Sequence, residues 1–261
     1  MSAMVPLEAT LRQRRQAGRK LLVPYVTGGL GGDWLDVVRA YADAGADAVE
    51  IGLAFSDPVM DGPTIQAASQ RALDQGATPA GVVAALGGAD VDVPLVVMTY
   101  YNIVFRSGHR RFAAMLIDNG IGGAIVPDLP LEELDDWAGA AGASGVETVL
   151  LASPVTPDDR LARLVERSHG FVYGVGLMGV TGERDRVAES TAVLAKRLKA
   201  ATDKPVIIGF GVSTPAHAAE VASEADGVIV ASALMRKRLD GAGPTELAAV
   251  VAGLRAALDR V

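Results

Sequence analysis

Hydrophobic residues in this chain gather into short unbroken runs, each followed by a longer stretch with apolar positions at helical spacing. The runs cover residues 21–26, 48–52, 94–99, 122–126, 146–152, 171–175, 205–210 and 227–231. They are continuous rather than alternating, the pattern of parallel strands covered on both faces. Eight such strands with helices between them predict an α/β chain folded as a (β/α)8 TIM barrel. A doubly wound open sheet is the alternative. Several helices close on a small or polar turn that leads straight into the next strand: AGADAVEIG from Ala44, NGIGGAIVPD from Asn119, ASGVETVLLA from Ala143 and SEADGVIVAS from Ser223. Each Gly or Asp there marks a helix C-terminus. The gap between the second and third strands is nearly twice the usual spacing and predicts an added helix. No linker interrupts the pattern, so residues 1–261 form one expected domain, with an N-terminal amphipathic helix over the basic stretch 12–20.

Composition narrows the chemistry. Half of the 261 residues are hydrophobic and the net charge is −7. An acidic balance opposes nucleic acid or an anionic membrane as partner. No apolar run reaches the roughly 18 residues of a membrane helix, and the N-terminus lacks the apolar core of a signal peptide. The expectation is a soluble cytoplasmic protein. There is no cysteine, which removes disulfides, thiolate nucleophiles and cysteine metal sites. Its three histidines, His109, His169 and His217, do not converge in the pattern and read as surface residues, so no metal site and no serine triad is expected. A Schiff base needs a lysine inside the barrel. Lys20 and Lys204 precede strands, Lys196 and Lys199 lie on a helix, and Lys237 follows the last strand by several residues.

Carboxylates remain. Barrel chemistry sits on the loops after the strands, and the second strand leads into one from Glu50 to Gln66, EIGLAFSDPVMDGPTIQ. Glu50 within its strand is either a salt-bridged structural residue or a carboxyl whose pKa is raised by burial. Asp61 is either a turn or N-cap aspartate ahead of the helix near Pro63, or its acid–base partner. Asp57 beside Pro58 reads as an Asx-turn residue.

The segment FSDPVMDGPTIQ resembles the signature of the tryptophan synthase α-subunit family, which commonly reads P-F-S-D-P-x-x-D-G-P-x-I-Q. The resemblance spans nearly the whole chain, through VPYVTGG, AGADAVEIG, MTYYNIV, VPDLPLEE, GVTGER and GFGVS. It implies retro-aldol cleavage of indole-3-glycerol phosphate to indole and glyceraldehyde 3-phosphate, with the indole ring as electron sink. Glu50 and Asp61 would be the catalytic pair, Glu50 at indole C3 and the carbinol, Asp61 at the indole N–H. Tyr25, Met98, Tyr100, Ile125, Pro127 and Tyr173 would line the indole pocket. Gly182, Gly209, Gly211, Ala231 and Ser232 would hold the phosphate, on loops that also fit the barrel's phosphate rule. Thr181 would close over Asp61 from a glycine-rich lid at 176–186. The family needs no cofactor of its own; pyridoxal phosphate belongs to a β partner, with which an α2β2 tetramer forms.

The chain departs from the family in places. Ala54 stands where proline is usual, Gly176 lies near a usual serine, Ala231 replaces glycine, and the first loop reads GGLGGDW. These departures keep two alternatives open: a stand-alone lyase of a special pathway, or a weakly active subunit that regulates a β partner. Other phosphate-binding barrels, such as an indole-glycerol-phosphate synthase or a phosphoribosyl isomerase, are a further alternative, though the synthase normally uses a barrel lysine.

Overall fold

The computed structural model describes residues 4–176, 184–209 and 211–261, with the backbone alone for 184–189. Among the described residues eight parallel strands close into one barrel in sequence order: β1 (Leu21–Thr27), β2 (Val49–Gly52), β3 (Leu95–Met98), β4 (Ile121–Ile125), β5 (Glu147–Ala152), β6 (Val172–Val175), β7 (Val206–Gly209) and β8 (Gly227–Val230). Pairing of β1 with β8, Leu21 opposite Gly227, completes the ring and excludes the open sheet.

The helices are α1 (Leu7–Gln16), α2 (Trp34–Asp43), α3 (Pro63–Asp74), α4 (Pro79–Leu86), α5 (Tyr101–Ser107), α6 (His109–Asp118), α7 (Asp135–Ser144), α8 (Asp158–Arg167), α9 (Arg184–Ala201), α10 (Pro215–Glu224), α11 (Ser232–Leu239) and α12 (Pro244–Leu258). The long gap between β2 and β3 holds α3 and α4, as its length predicts. The short α5, ahead of α6, is not legible in the pattern. No helix among the described residues is long and apolar enough to cross a membrane.

Strand residues alternate between the two sides of the barrel wall. One set, including Val37, Val38, Leu116 and Trp137 from the helices and Ile51 and Val97 from the strands, packs the helix shell onto the sheet. The other fills the barrel: Leu21, Val23, Ala48, Val96, Ile125, Val149, Phe171, Ile207 and Ile229. Leu7 and Leu11 of α1 join this inner set, so the N-terminal helix plugs the barrel at its N-terminal end.

That helix starts and ends earlier than the charge pattern suggests. It begins at Leu7 because the Glu147 carboxylate, on β5, accepts from the Leu7 and Glu8 backbone N–H groups at 3.2 and 2.8 Å. It is over by Ala17, and Gly18 takes a φ of 82°. Its basic residues are not a free solvated face. Arg14 joins Arg19 and Arg255 around the fully buried Asp47, and Arg15 meets Asp226. The barrel floor is therefore tied by buried carboxylates with several partners each, an arrangement that makes removal of a single partner costly.

The lysines are committed elsewhere. Lys20 Nζ donates to the carbonyls of Ala222 and Ala225, and Lys204 Nζ to those of Val165, Glu166 and Ser168. Lys196 and Lys199 pair with Glu224 and Asp226, and Lys237 is exposed on α11. None enters the barrel. Of the histidines, His169 and His217 are exposed. His109 departs from the surface expectation: it is half-buried, 3.1 Å from the Tyr101 hydroxyl and beside Trp137.

Candidate active site

Glu50 lies opposite Tyr25 of β1 and Val96 of β3 in the sheet register. Ala48, two residues before it, belongs to the inner set, so alternation aims Glu50 into the barrel. Gly52, two residues on, agrees with that direction: a side chain there would collide with the Tyr25 hydroxyl. The missing side chain is what lets the Tyr25 ring lie across β2. Gly209 on β7 does the same for Tyr173, whose hydroxyl a Cβ would also strike.

The same parity places Met98, Tyr100, Ile125, Pro127, Tyr173, Gly209, Gly211 and Ala231 on inward positions at the C-terminal ends of their strands or just beyond. Tyr25, Tyr100 and Ile125 are buried; Met98, Pro127 and Tyr173 are half-buried. Gly211 follows β7 with a φ of 57°. Ser232 opens α11, with Ala231 as its N-cap residue. Thr181 and Gly182, and most of the expected lid, lie outside the described residues.

The two carboxyl groups differ in setting. Glu50 is 1% exposed, and among the described residues its Oε2 has no hydrogen-bond partner. Among the described residues no cation appears among the causes of its pKa shift, which goes against the salt-bridged alternative. Burial pushes the Glu50 pKa up from 4.5 to about 8, and the negative charge of Asp61 adds to the shift. A carboxyl with this pKa carries its proton at neutrality, which removes most of the cost of burying it unpaired.

Asp61 sits on the β2–α3 loop. It is not the helix N-cap: that position is Gly62, with Pro63 starting α3. Its backbone carbonyl accepts from Gln66 Nε2 at 2.8 Å. Its pKa is raised by burial, and the Tyr100 hydroxyl, acting as donor to the carboxylate, works against that shift. Tyr25 and Tyr173 sense both carboxyl groups, and burial holds their hydroxyls protonated. One protonated acid, one half-buried carboxylate and three tyrosines thus converge on the barrel mouth.

Three residues of this region escape a reading of the sequence alone. Gly52 and Leu151 follow Glu50 and Val149 at period two, so alternation could have found them; Leu151 is the register partner of Tyr173. Phe55 stacks on Tyr100 with ring centroids 5.2 Å apart, and no local signal announces that contact.

A closed parallel barrel with two carboxyl groups of raised pKa at its C-terminal mouth, beside glycine turns after the seventh strand and a helix opening after the eighth, defines the class: a (β/α)8 enzyme. A family model described as "Tryptophan synthase alpha chain" matches residues 11–251, and the chain belongs to that family. It is 48% identical over 202 residues to the tryptophan synthase alpha chain of Methanosarcina mazei, covering 77% of this chain and 74% of that one. Against the alpha chain of Streptomyces coelicolor the identity is 44% over 240 residues, covering 90% and 88%. The solved structure of tryptophan synthase subunit alpha from Legionella pneumophila superposes with a TM-score of 0.89 at 30% identity, over 99% of this chain and 100% of that one.

Proposed function

We propose that this chain is a carbon–carbon lyase that splits indole-3-glycerol phosphate into indole and glyceraldehyde 3-phosphate. The observation that carries the reading is the Glu50 carboxyl: buried, with no partner for its Oε2 among the described residues, and with its pKa pushed up to about 8. With Asp61 on the facing loop it makes one acid and one base at neutral pH, two carboxyl groups set to different tasks by their surroundings.

The steps balance on these two groups. Glu50 gives its proton to indole C3 while Asp61 takes the N1 proton, leaving an indolenine whose C=N bond is the electron sink. The Glu50 carboxylate then takes the carbinol proton. The bond between C3 and the glycerol carbon breaks, the aldehyde forms, and the electron pair returns to the ring. Asp61 returns a proton to N1, and both residues are reset. Tyr25, Met98, Tyr100, Ile125, Pro127 and Tyr173 surround the indole in this reading. The phosphate lies at Gly209, Gly211, Ala231 and the α11 N-terminus with Ser232, where N–H groups favour an anion. Gly182 and Thr181 would complete the site from the lid.

Because Glu50 works in its protonated form, kcat/KM is expected to fall as pH rises through about 8. A rate profile measured from pH 6 to 9.5 tests this. A flat profile across 7 to 9 would remove Glu50 from the acid role.

A β-type partner carrying pyridoxal phosphate, in an α2β2 assembly, is part of the proposal, as is action in the cytoplasm. Its support is the word "alpha" in the relatives' names and the apolar side chains at the barrel's C-terminal rim. Val59 and Met60 on the Asp61 loop, Phe105 on α5 and Val155 after β5 are 75%, 54%, 64% and 71% exposed. Addition of a β chain is expected to raise the rate of indole formation. An unchanged rate, together with failure to co-purify, would favour the stand-alone alternative.

A further inference from the structure

Asp61 sits on a loop, residues 53–62, with no regular structure. Leu53 and Ala54 are buried at its start, while Val59 and Met60, next to Asp61, face solvent. At one end the Leu53 N–H donates to the Met98 carbonyl at 2.9 Å. At the other, Gln66 holds the Asp61 carbonyl. Between these points, among the described residues, Tyr100 at the end of another strand holds the loop. The Tyr100 ring stacks on Phe55 at 5.2 Å with an interplanar angle of 28°. Its hydroxyl oxygen accepts from the Met60 N–H at 3.1 Å, one residue before Asp61, whose pKa the same hydroxyl lowers. A hydroxyl that accepts on one side is a stronger donor on the other.

We propose that Phe55 and Tyr100 form a clamp that sets the Asp61 carboxylate in place before substrate arrives, with Phe55 a positioning residue that acts through Tyr100. In this arrangement Phe55 fixes the plane of the Tyr100 ring and so the reach of the hydroxyl. Ala54, just before it, contributes only a buried methyl, and the stack supplies the restraint on that side of the loop. The geometry requires a flat ring at 55 and a hydroxyl at 100. The inference rests on the lyase reading for its kinetic consequence, but not for its structural one.

The test uses the full chain in three variants. Tyr100→Phe keeps the stack and removes both hydroxyl contacts; Phe55→Leu keeps apolar volume and removes the stack; the third carries both changes. Tyr100→Phe is expected to lower kcat by up to about 100-fold and to move the acid limb of kcat/KM to higher pH, since the hydroxyl holds the Asp61 pKa down. The substrate's own phosphate titrates identically in every variant, so a displaced limb belongs to the enzyme. Phe55→Leu is expected to move the limb the same way with a smaller loss, and the double variant to match Tyr100→Phe alone, as sites acting through one contact are non-additive. An unmoved limb, or losses that multiply in the double variant, would overturn the clamp.

Amide hydrogen exchange at Met60 in the ligand-free chain provides an arm that needs no turnover. Faster exchange in both single variants than in the parent supports the clamp, and unchanged exchange overturns it even where the lyase reading stands. If the parent chain releases no indole while Met60 exchange responds as expected, the clamp survives and the lyase reading fails.

Discussion

Glu50→Gln is expected to fold normally, to lose most of its turnover, and to be more stable than the parent above neutral pH. On the proposed mechanism the rate loss follows from removing the group that both delivers the C3 proton and collects the carbinol proton, a role for which factors of about 10²–10⁴ are typical. The stability gain follows from linkage. The folded-state pKa is raised from 4.5 to about 8, so between those values the folded chain holds a proton that the unfolded chain has released. Stability contributed by the neutral carboxyl is fully present below the unfolded value and is lost progressively as pH rises through the folded one. Each tenfold difference in proton affinity between the folded and unfolded chain is worth about 1.4 kcal/mol, so the loss amounts to a few kcal/mol at alkaline pH. Glutamine has the shape without the charge and avoids that loss. Urea denaturation at pH 5 and pH 8.5 is the measurement: nearly equal midpoints at the lower pH and a clear advantage for the variant at the higher. An advantage of the same size at both values would show that Glu50 is not held neutral by the fold.

Asp61→Asn is expected to lose a comparable share of turnover, and its residual activity carries a second signature. The Asp61 charge is one of the two causes that raise the Glu50 pKa, burial being the larger. Asparagine removes the charge and leaves the burial. The Glu50 pKa therefore falls, and the alkaline limb of residual kcat/KM moves to lower pH. A limb that stayed in place, or moved up, would separate the two carboxyl groups and leave the pair without its division of labour. The backbone hold of Gln66 on residue 61 does not depend on the carboxylate, so the variant keeps its loop anchored and the limb reports charge rather than unfolding.

Much of this molecule can be read from the order of its residues, for identifiable reasons. Parallel barrel strands are covered on both faces, so 48–52 or 227–231 stand out as unbroken apolar runs and the closed barrel follows from their number. Glu50 cannot be resolved the same way. Whether a carboxyl on a short strand is paired depends on which side of the wall it takes and what its neighbours in register bring. Tyr25 opposite Glu50, and Gly52 making room for the Tyr25 ring, are facts of pairing between strands. The start of α1 escapes the local pattern because its capping group, Glu147, lies 140 residues away from Leu7, beyond any local capping signal. Its arginines read only as the basic part of an amphipathic helix, because their partners Asp47 and Asp226 arrive from other turns of the barrel. Phe55 is invisible for the same reason: its meaning is the ring of Tyr100 beside it.

Both carboxyl groups matter only if the chain does the chemistry assigned to them. The direct measurement is the release of indole from indole-3-glycerol phosphate by the purified chain alone, followed with glyceraldehyde 3-phosphate in the same reaction, for the parent and for Glu50→Gln. The account predicts equimolar indole and aldehyde from the parent and near-complete loss of both in the variant, with the variant still folded. No indole from the parent, or indole released equally by both, would contradict it.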